Sequence, residues 1–451
     1  MRNFTFLSAL VSLGLVLGAC AQPAPPRLTP APAAAPTKTP TTAPTEAPTQ
    51  GPGAAPTVAR TTAPTGATTI ALAEVATTAP AAAPTTVAAP AASAGYLKVA
   101  VLAPLSGPES TFGVSTRNGV LLATEEWNAR GGVLGMQIRP IVEDSQCTPD
   151  SAVAAAGKVI DQDGVHYIIG EVCSSASTAI SEIADRARVI QISPSSTNSS
   201  VTVDPRGNTK PYIFRACFVD SFQGVVAARF ALGTLNARTA YIMSNQADGY
   251  LDGLTDNFQS AFTAGGGKVL GRENYTSTDT DFSAILSKIS VAQPDMIYLP
   301  AWPDDYEVVN LVTQQAKRAG ITAPFVGSDS WDSANLNRAA AAGSYYTNHY
   351  SSDDPRPEVQ SWIKHYEAEY DTESAPDALA TLAYDATNLL LEGIREAGAD
   401  NTGQVQAALE NIRFRGVSGA ITFDKQHNPI KTAVVLAVVA GGIRYRTTVS
   451  P

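Results

Sequence analysis

Between Cys147 and Thr197 the chain alternates helix and strand, and each strand runs into a hydroxyl-rich loop. Cys147 follows the acidic pair Glu143-Asp144. A helical run is expected over 151–161 and an apolar strand over His166–Gly170. Glu171-Val-Cys-Ser-Ser175 comes next, then a second helix over 178–187, a second strand over 189–192 and the loop Ser193-Pro-Ser-Ser-Thr197. Short apolar strands separated by amphipathic helices make parallel sheets with right-handed crossovers. In such open sheets small ligands bind at the carboxyl ends of the strands. Hydroxyls and free N–H groups at a helix N-terminus suit a carboxylate.

The alternation extends through the second part of the chain. Tyr96–Leu102 reads as a strand, Val114–Ala129 as a helix ended by Gly131-Gly132, and Gln137–Val142 as a strand. Further strands are expected at 239–243, 296–299, 325–326 and 433–439. Further helices are expected at 249–264, 281–289, 305–319, 357–370, 377–397 and 402–411. The fold class is therefore α/β, with enough chain for two medium domains.

The N-terminal region is a different polymer. Arg2, the apolar run 4–17 and Leu17-Gly-Ala-Cys20 form a signal segment too short to span a bilayer. The last four residues resemble a bacterial lipobox, which implies cleavage before Cys20 and lipidation of its thiol. Residues 21–95 are almost all Ala, Pro and Thr, with repeats such as Ala43-Pro44-Thr45. This composition cannot bury enough apolar surface to offset chain entropy, so a disordered tether is expected. Its prolines favour polyproline II, with a reach of roughly 230 Å at about 3.1 Å per residue.

Of 31 basic and 41 acidic residues, four and two lie before residue 96. The remainder carries 27 against 39, a net of −12, which disfavours nucleic acid as a partner. Outside the cytoplasm Cys147 and Cys173 can pair, closing a loop of about 27 residues worth on the order of 3 kcal/mol. Cys217, in the apolar run 212–218, reads as a buried thiol. The four histidines (166, 349, 365 and 427) show no metal-ligand spacing and read as structural or surface groups. No Ser-His-Asp order, metal cluster or catalytic carboxylate pair stands out, so an enzyme is not expected, and no cofactor is called for.

Several motifs, taken in order, resemble one family. They are Val99-Ala-Val-Leu-Ala-Pro-Leu-Ser-Gly107, Phe112-Gly113, Asn128-Ala-Arg-Gly-Gly-Val-Leu-Gly135, Gly170-Glu-Val-Cys-Ser-Ser175, Ile192-Ser-Pro-Ser-Ser-Thr197, Asp281-Phe-Ser, Gln315-Ala-Lys-Arg-Ala-Gly320 and Gly419-Ala-Ile-Thr-Phe-Asp424. Residues 96 to about 445 resemble a type I periplasmic binding protein of the branched-chain amino-acid group, the substrate receptors of ABC importers. The resemblance implies two Rossmann-like lobes joined by three crossover strands near 216–220, 344–349 and 416–420. Lobe one would be 96–217 plus 349–417, and lobe two 221–344 plus 421–450. An amino-acid-like ligand would sit in the cleft and be passed to permease subunits in the membrane, where lipid on Cys20 holds the protein. A ligand sensor, or a receptor for an amide, urea or aromatic carboxylate, stays open as an alternative.

Carried over residue by residue, Ser174 matches a carboxylate-binding serine, and Ser195 and Thr197 the second loop. Phe112 matches a rim aromatic and Tyr250 a cleft tyrosine, while Trp302 stands where another aromatic sits. Asp329 matches the acid that pairs with the ammonium, one methylene shorter than the glutamate expected there. Cys147 and Cys173 match a family disulfide. Asp304 and Asp305, beside Trp302, read as a solvated helix start with a second amine as the rarer role.

Overall fold

The computed structural model describes residues 95–451 except 246–248, 303–305 and 373. Cys20, the tether and Asp304-Asp305 lie outside the described residues.

The first half builds β1 (Tyr96–Ala103), α1 (Ser110–Ala129), β2 (Gln137–Asp144), α2 (Pro149–Gly157), β3 (Tyr167–Gly170), α3 (Ser174–Ala187), β4 (Ile190–Ser193) and β5 (Ile213–Arg215). These strands form an all-parallel sheet in the order β2-β1-β3-β4-β5. The chain then forms α4 (Asp220–Gly233), β6 (Thr239–Asn245), α5 (Gly249–Ala264), β7 (Lys268–Tyr275), α6 (Ser283–Ala292), β8 (Met296–Tyr298), α7 (Tyr306–Arg318), β9 (Phe325–Gly327) and β10 (Tyr345–Asn348). It returns to the first sheet with α8 (Pro357–Glu369), α9 (Ala378–Ala397), α10 (Thr402–Asn411) and the hairpin β11 (Phe414–Gly416)–β12 (Gly419–Ile421). It ends in β13 (Ala433–Val439) and β14 (Gly442–Val449) on the second sheet, whose order is β14-β13-β10-β9-β8-β6-β7.

Each sheet is covered on both faces, which is why its central strands are apolar throughout. On one face of the first sheet, Val99 and Val101 pack with Leu389, Leu390 and Ile394 of α9 and Leu409 of α10. On the other, Ala100 and Leu102 pack with Ala152 of α2 and Ile180 of α3. Helices α1 and α9 approach closely because residue 119 is glycine: a Cβ there would lie 2.1 Å from the Ala380 carbonyl oxygen. Ile421 is buried in the first-sheet core, Phe423 packs against it, and His427 stacks on Phe214.

Three expectations need correction. The second sheet is not wholly parallel, because β13 pairs antiparallel with β10 and with β14. The two residues between β13 and β14 leave room only for a hairpin. Helix α2 begins earlier than 151, where Thr148 caps it and Pro149 occupies its first turn. Helix α3 begins at Ser174 rather than 178, directly after the Cys147–Cys173 disulfide, whose Cα atoms are 5.5 Å apart. Cys217 is a free, buried thiol.

Candidate functional site

Each sheet has one point where the strand order reverses. In the first, the chain moves outward from β1 to β2, then resumes on the other side at β3. In the second, the same break falls between β6 and β8. Loops diverge at such points and leave a crevice at the carboxyl ends of the strands. Phe112 follows β1, Ser174 follows β3, and Ser195 and Thr197 follow β4. Tyr250 follows β6, Trp302 follows β8 and Asp329 follows β9. All seven line a single cavity of about 50 Å³, together with Val172, Cys173, Ser330 and Leu379.

The first-lobe wall is made of neutral donors. Ser174 starts α3, so the first N–H groups of that helix have no intrahelical acceptor. Gly170 carries the chain out of β3 at φ +138°, where a Cβ would lie 2.2 Å from the Leu102 carbonyl oxygen. The two serine loops are knitted together: Ser193 donates to the Glu171 carbonyl at 2.8 Å, Ser195 to that of Val172 at 3.1 Å, and Ser196 to both at 3.0 Å. Arg215, fully buried, donates to the Ser196 carbonyl at 2.6 Å and the Asn198 carbonyl at 2.8 Å, one on each side of Thr197. The Thr197 hydroxyl is itself buried and has no hydrogen-bond partner among the described residues.

Glu171 lies behind this wall. Its carboxyl accepts from the Ser145 hydroxyl at 2.6 Å and from the Cys173 N–H. Complete burial outweighs these donors and pushes its pKa up to about 7.

The second-lobe wall is built around Asp329. Its Oδ1 accepts from the Tyr250 hydroxyl at 2.7 Å and the Gln223 amide at 2.8 Å, and its Oδ2 lies 3.0 Å from Nε2 of His349. Burial acts to raise Asp329, but the hydrogen bond and charge of His349 and the two neutral donors prevail, and the carboxyl lies below its ordinary range. Burial, then the Asp329 charge, hold Tyr250 well above a normal phenol, so it stays a donor. Trp302 meets the Tyr250 ring edge-on at 5.7 Å and packs against apolar residues of both lobes. The lobes are therefore closed on one another at the cavity.

Sequence reasoning named seven of the eleven lining residues as ligand contacts and missed four residues that support them. Gln223, Arg215 and Glu171 were not singled out, and His349 was taken for a structural or surface group. It is 2 % exposed and bonded to the site acid. No local pattern signals these residues, because each reaches its partner through the fold.

A larger groove of about 550 Å³ lies where α1, α8 and the start of α9 meet the segment after Asp329. Its carboxylates are already satisfied. Asp332 accepts from Tyr346, Asn348 and the Ala378 N–H, and Asp377 from Ser115 and the Ala380 N–H. These groups brace the lobes at the N-terminus of α9, and the smaller cavity holds the groups suited to a ligand. Among the described residues no group of three or more His, Cys, Asp or Glu is arranged for a metal ion.

Residues 96–442 match the family model described as periplasmic binding protein. The leucine-, isoleucine-, valine-, threonine- and alanine-binding protein of Pseudomonas aeruginosa is 29% identical over 335 residues, 74% of this chain and 87% of that one. The crystal structure of a leucine-binding protein from Thermotoga maritima superposes with a TM-score of 0.72 at 32% identity, covering 79% of this chain and 99% of that one. A branched-chain amino-acid transporter substrate-binding protein from Streptococcus pneumoniae, solved with isoleucine, gives 0.72 at 28% identity, covering 79% and 100%.

The burial of Glu171 has a measurable consequence. A carboxyl whose folded pKa is raised contributes stability that is fully present below its unfolded value, near 4.5, and is lost as pH rises through about 7. Between pH 4.5 and 8 wild type is expected to lose stability relative to Glu171→Gln by up to about 3 kcal/mol. Chemical denaturation of both proteins across that range measures it. Parallel curves would show that Glu171 is not held protonated.

Proposed function

This chain belongs to the periplasmic binding protein family, in its branched-chain amino-acid transporter group, and from that premise we propose that it captures a small zwitterionic amino acid, branched-chain-like, between its lobes. The convergence of a neutral-donor wall and a single ionised carboxylate on one cavity carries the proposal. The ligand's carboxylate would take the α3 N-terminus, Ser174, Ser195 and the unpartnered Thr197 hydroxyl. Its ammonium would take Asp329, steadied by Tyr250. Phe112, Trp302 and Leu379 would cover its apolar part. Ligand contacts to both lobes would favour the closed form as a population shift. The ligand is then released to the permease of an ABC importer, and the packing of Ile421, Phe423 and His427 on the first sheet supports moving bodies of 96–217 plus 349–427 and 221–344 plus 433–450.

The family works outside the cytoplasm, and among the described residues no helix is long and apolar enough to cross a membrane. The Leu17-Gly-Ala-Cys20 tetrad supports a lipid anchor on Cys20, with residues 21–95 as the spacer. Lipidation at Cys20 predicts that Cys20→Ser moves the protein from the membrane fraction to the soluble one. Persistence in the membrane fraction would rule the anchor out.

A dye-melt screen of the mature protein is expected to show a raised melting temperature with an aliphatic amino acid such as leucine, isoleucine, valine or alanine. Stabilisation by amides or aromatic carboxylates alone would replace the amino-acid assignment. Asp329→Ala is expected to weaken binding of the stabilising amino acid by at least about a hundredfold, since it leaves a desolvated ammonium unpaired. Unchanged affinity by calorimetry would remove that role.

A further inference from the structure

His349 is not among the residues that line the cavity, but it bonds to Asp329, which is, and its position is tightly fixed. It follows β10 at the point where the chain leaves the second sheet. Its ring stacks on Phe218, in the segment between β5 and α4, with centroids 3.8 Å apart and planes 20° apart. Nδ1 is buried with no hydrogen-bond partner among the described residues, so the ring's one polar contact is Nε2 to Asp329 Oδ2 at 3.0 Å.

The other donors on Asp329 cannot change charge near neutral pH. Gln223 does not titrate, and Tyr250 is held well above a normal phenol by burial and then by Asp329. The remaining groups that act on His349 or Asp329 are also accounted for. Lys431, buried between β12 and β13, is brought down to about 8 by burial and repels a proton on His349. The Cys217 thiol, raised by burial to about 12, stays neutral. Asp332, raised by burial, also feels the charge of Asp329 and acts in turn on Asp377, which burial raises to about 6, while Asp220 acts on Tyr250. Of the three side chains bonded to Asp329, only the imidazole switches charge in the range where histidines titrate.

We propose that His349 is a positioning residue for the ligand's amine, and that the ammonium and a proton on His349 compete for the single carboxylate of Asp329. This rests on the amino-acid reading of the cavity. Neutral His349 donates its Nε2–H to Oδ2, fixes the carboxylate's rotation and leaves its full negative charge to the ligand. Protonated His349 closes an ion pair with the same carboxylate, and the ammonium then meets a neutralised site. Burial lowers the imidazole's pKa despite its acidic partner, so the neutral, binding-competent form prevails at pH 7. By linkage, the ligand must expel a proton from His349 to bind below its titration point. Affinity should then fall by up to about tenfold per pH unit.

The test measures calorimetric affinity of the mature protein for L-leucine and L-alanine from pH 7.5 to 4.5, in two buffers of different ionisation enthalpy. Neither probe changes charge in that window. Wild type should lose affinity toward acid pH and release up to one proton on binding. His349→Gln, which keeps a neutral donor, should lose the acid-side fall in affinity and the proton release that goes with it, whatever its affinity at pH 7.5. A wild-type profile that is flat, or one shared by His349→Gln, overturns the proposal while leaving the amino-acid reading intact. If neither probe binds at pH 7.5, that reading fails instead. The coupling is then decided by NMR titration of the His349 ring in wild type and Asp329→Asn. A lower midpoint in the variant supports it, and an unchanged one overturns it.

Discussion

The carboxylate of Asp329 accepts from three side chains, and each arrives from a different element. Gln223 comes from α4, Tyr250 from the first turn of α5, and His349 from the end of β10. Gln223 also donates to Thr347 within β10 at 2.9 Å, so the acid and the strand beside it are held by one amide. A carboxylate this enclosed would take up a proton if its donors were absent, since desolvation favours the neutral form. With them it stays ionised, and the second lobe presents one fixed negative charge to the cavity. The packing of α4, α5 and β10 around the second sheet is therefore also the device that keeps the site charged.

The opposite wall works by the reverse logic. It meets a ligand with N–H groups and hydroxyls rather than a cation, although a guanidinium lies just behind it. Arg215 spends its hydrogen bonds on the carbonyls flanking Thr197 and on the Thr202 hydroxyl, all neutral oxygens. It shapes the loop and leaves a positive charge behind the hydroxyl-bearing residues that line the cavity. Glu171, beneath the other serine loop, is raised by burial to about 7, so near neutral pH a proton offsets part of its charge. Its carboxyl orders the Cys173 N–H without placing a full negative charge behind a carboxylate site. Neutral donors on one side and one acid on the other match the two ends of a zwitterion.

Much of this was legible in the chain before any coordinates. The β3–α3–β4 stretch reads clearly because its strands are short and apolar and its helix keeps a polar face. Seven of the lining residues were carried over from the family resemblance, four of them within its motifs and Tyr250, Trp302 and Asp329 outside them. The misses have physical causes. Helix α4 buries Gln223, Gly224, Val226, Ala227, Ala228, Phe230 and Ala231, so it lacks the polar stripe that marks a surface helix. The start of α3 was set too late because serines favour caps and turns, whereas here the disulfide and Glu171 fix the first turn. The antiparallel end of the second sheet was hidden because 433–439 was the last strand read, and the largely polar, exposed 442–449 was left without an element. Gln223 and His349 lie 106 and 20 residues from the acid they serve, a relation that only the folded chain creates.

The central claim is that one wall recognises a carboxylate and the other an ammonium, with Asp329 as the charge, among the described lining residues, that tells an amino acid from a simple acid. Calorimetry of the mature protein with L-leucine and with its deaminated counterpart, 4-methylpentanoate, tests this directly, because the two differ only in the amine. The account predicts that the deaminated acid binds at least about a hundredfold more weakly, the cost of leaving Asp329 desolvated and unpaired. Equal affinity for the two would contradict it.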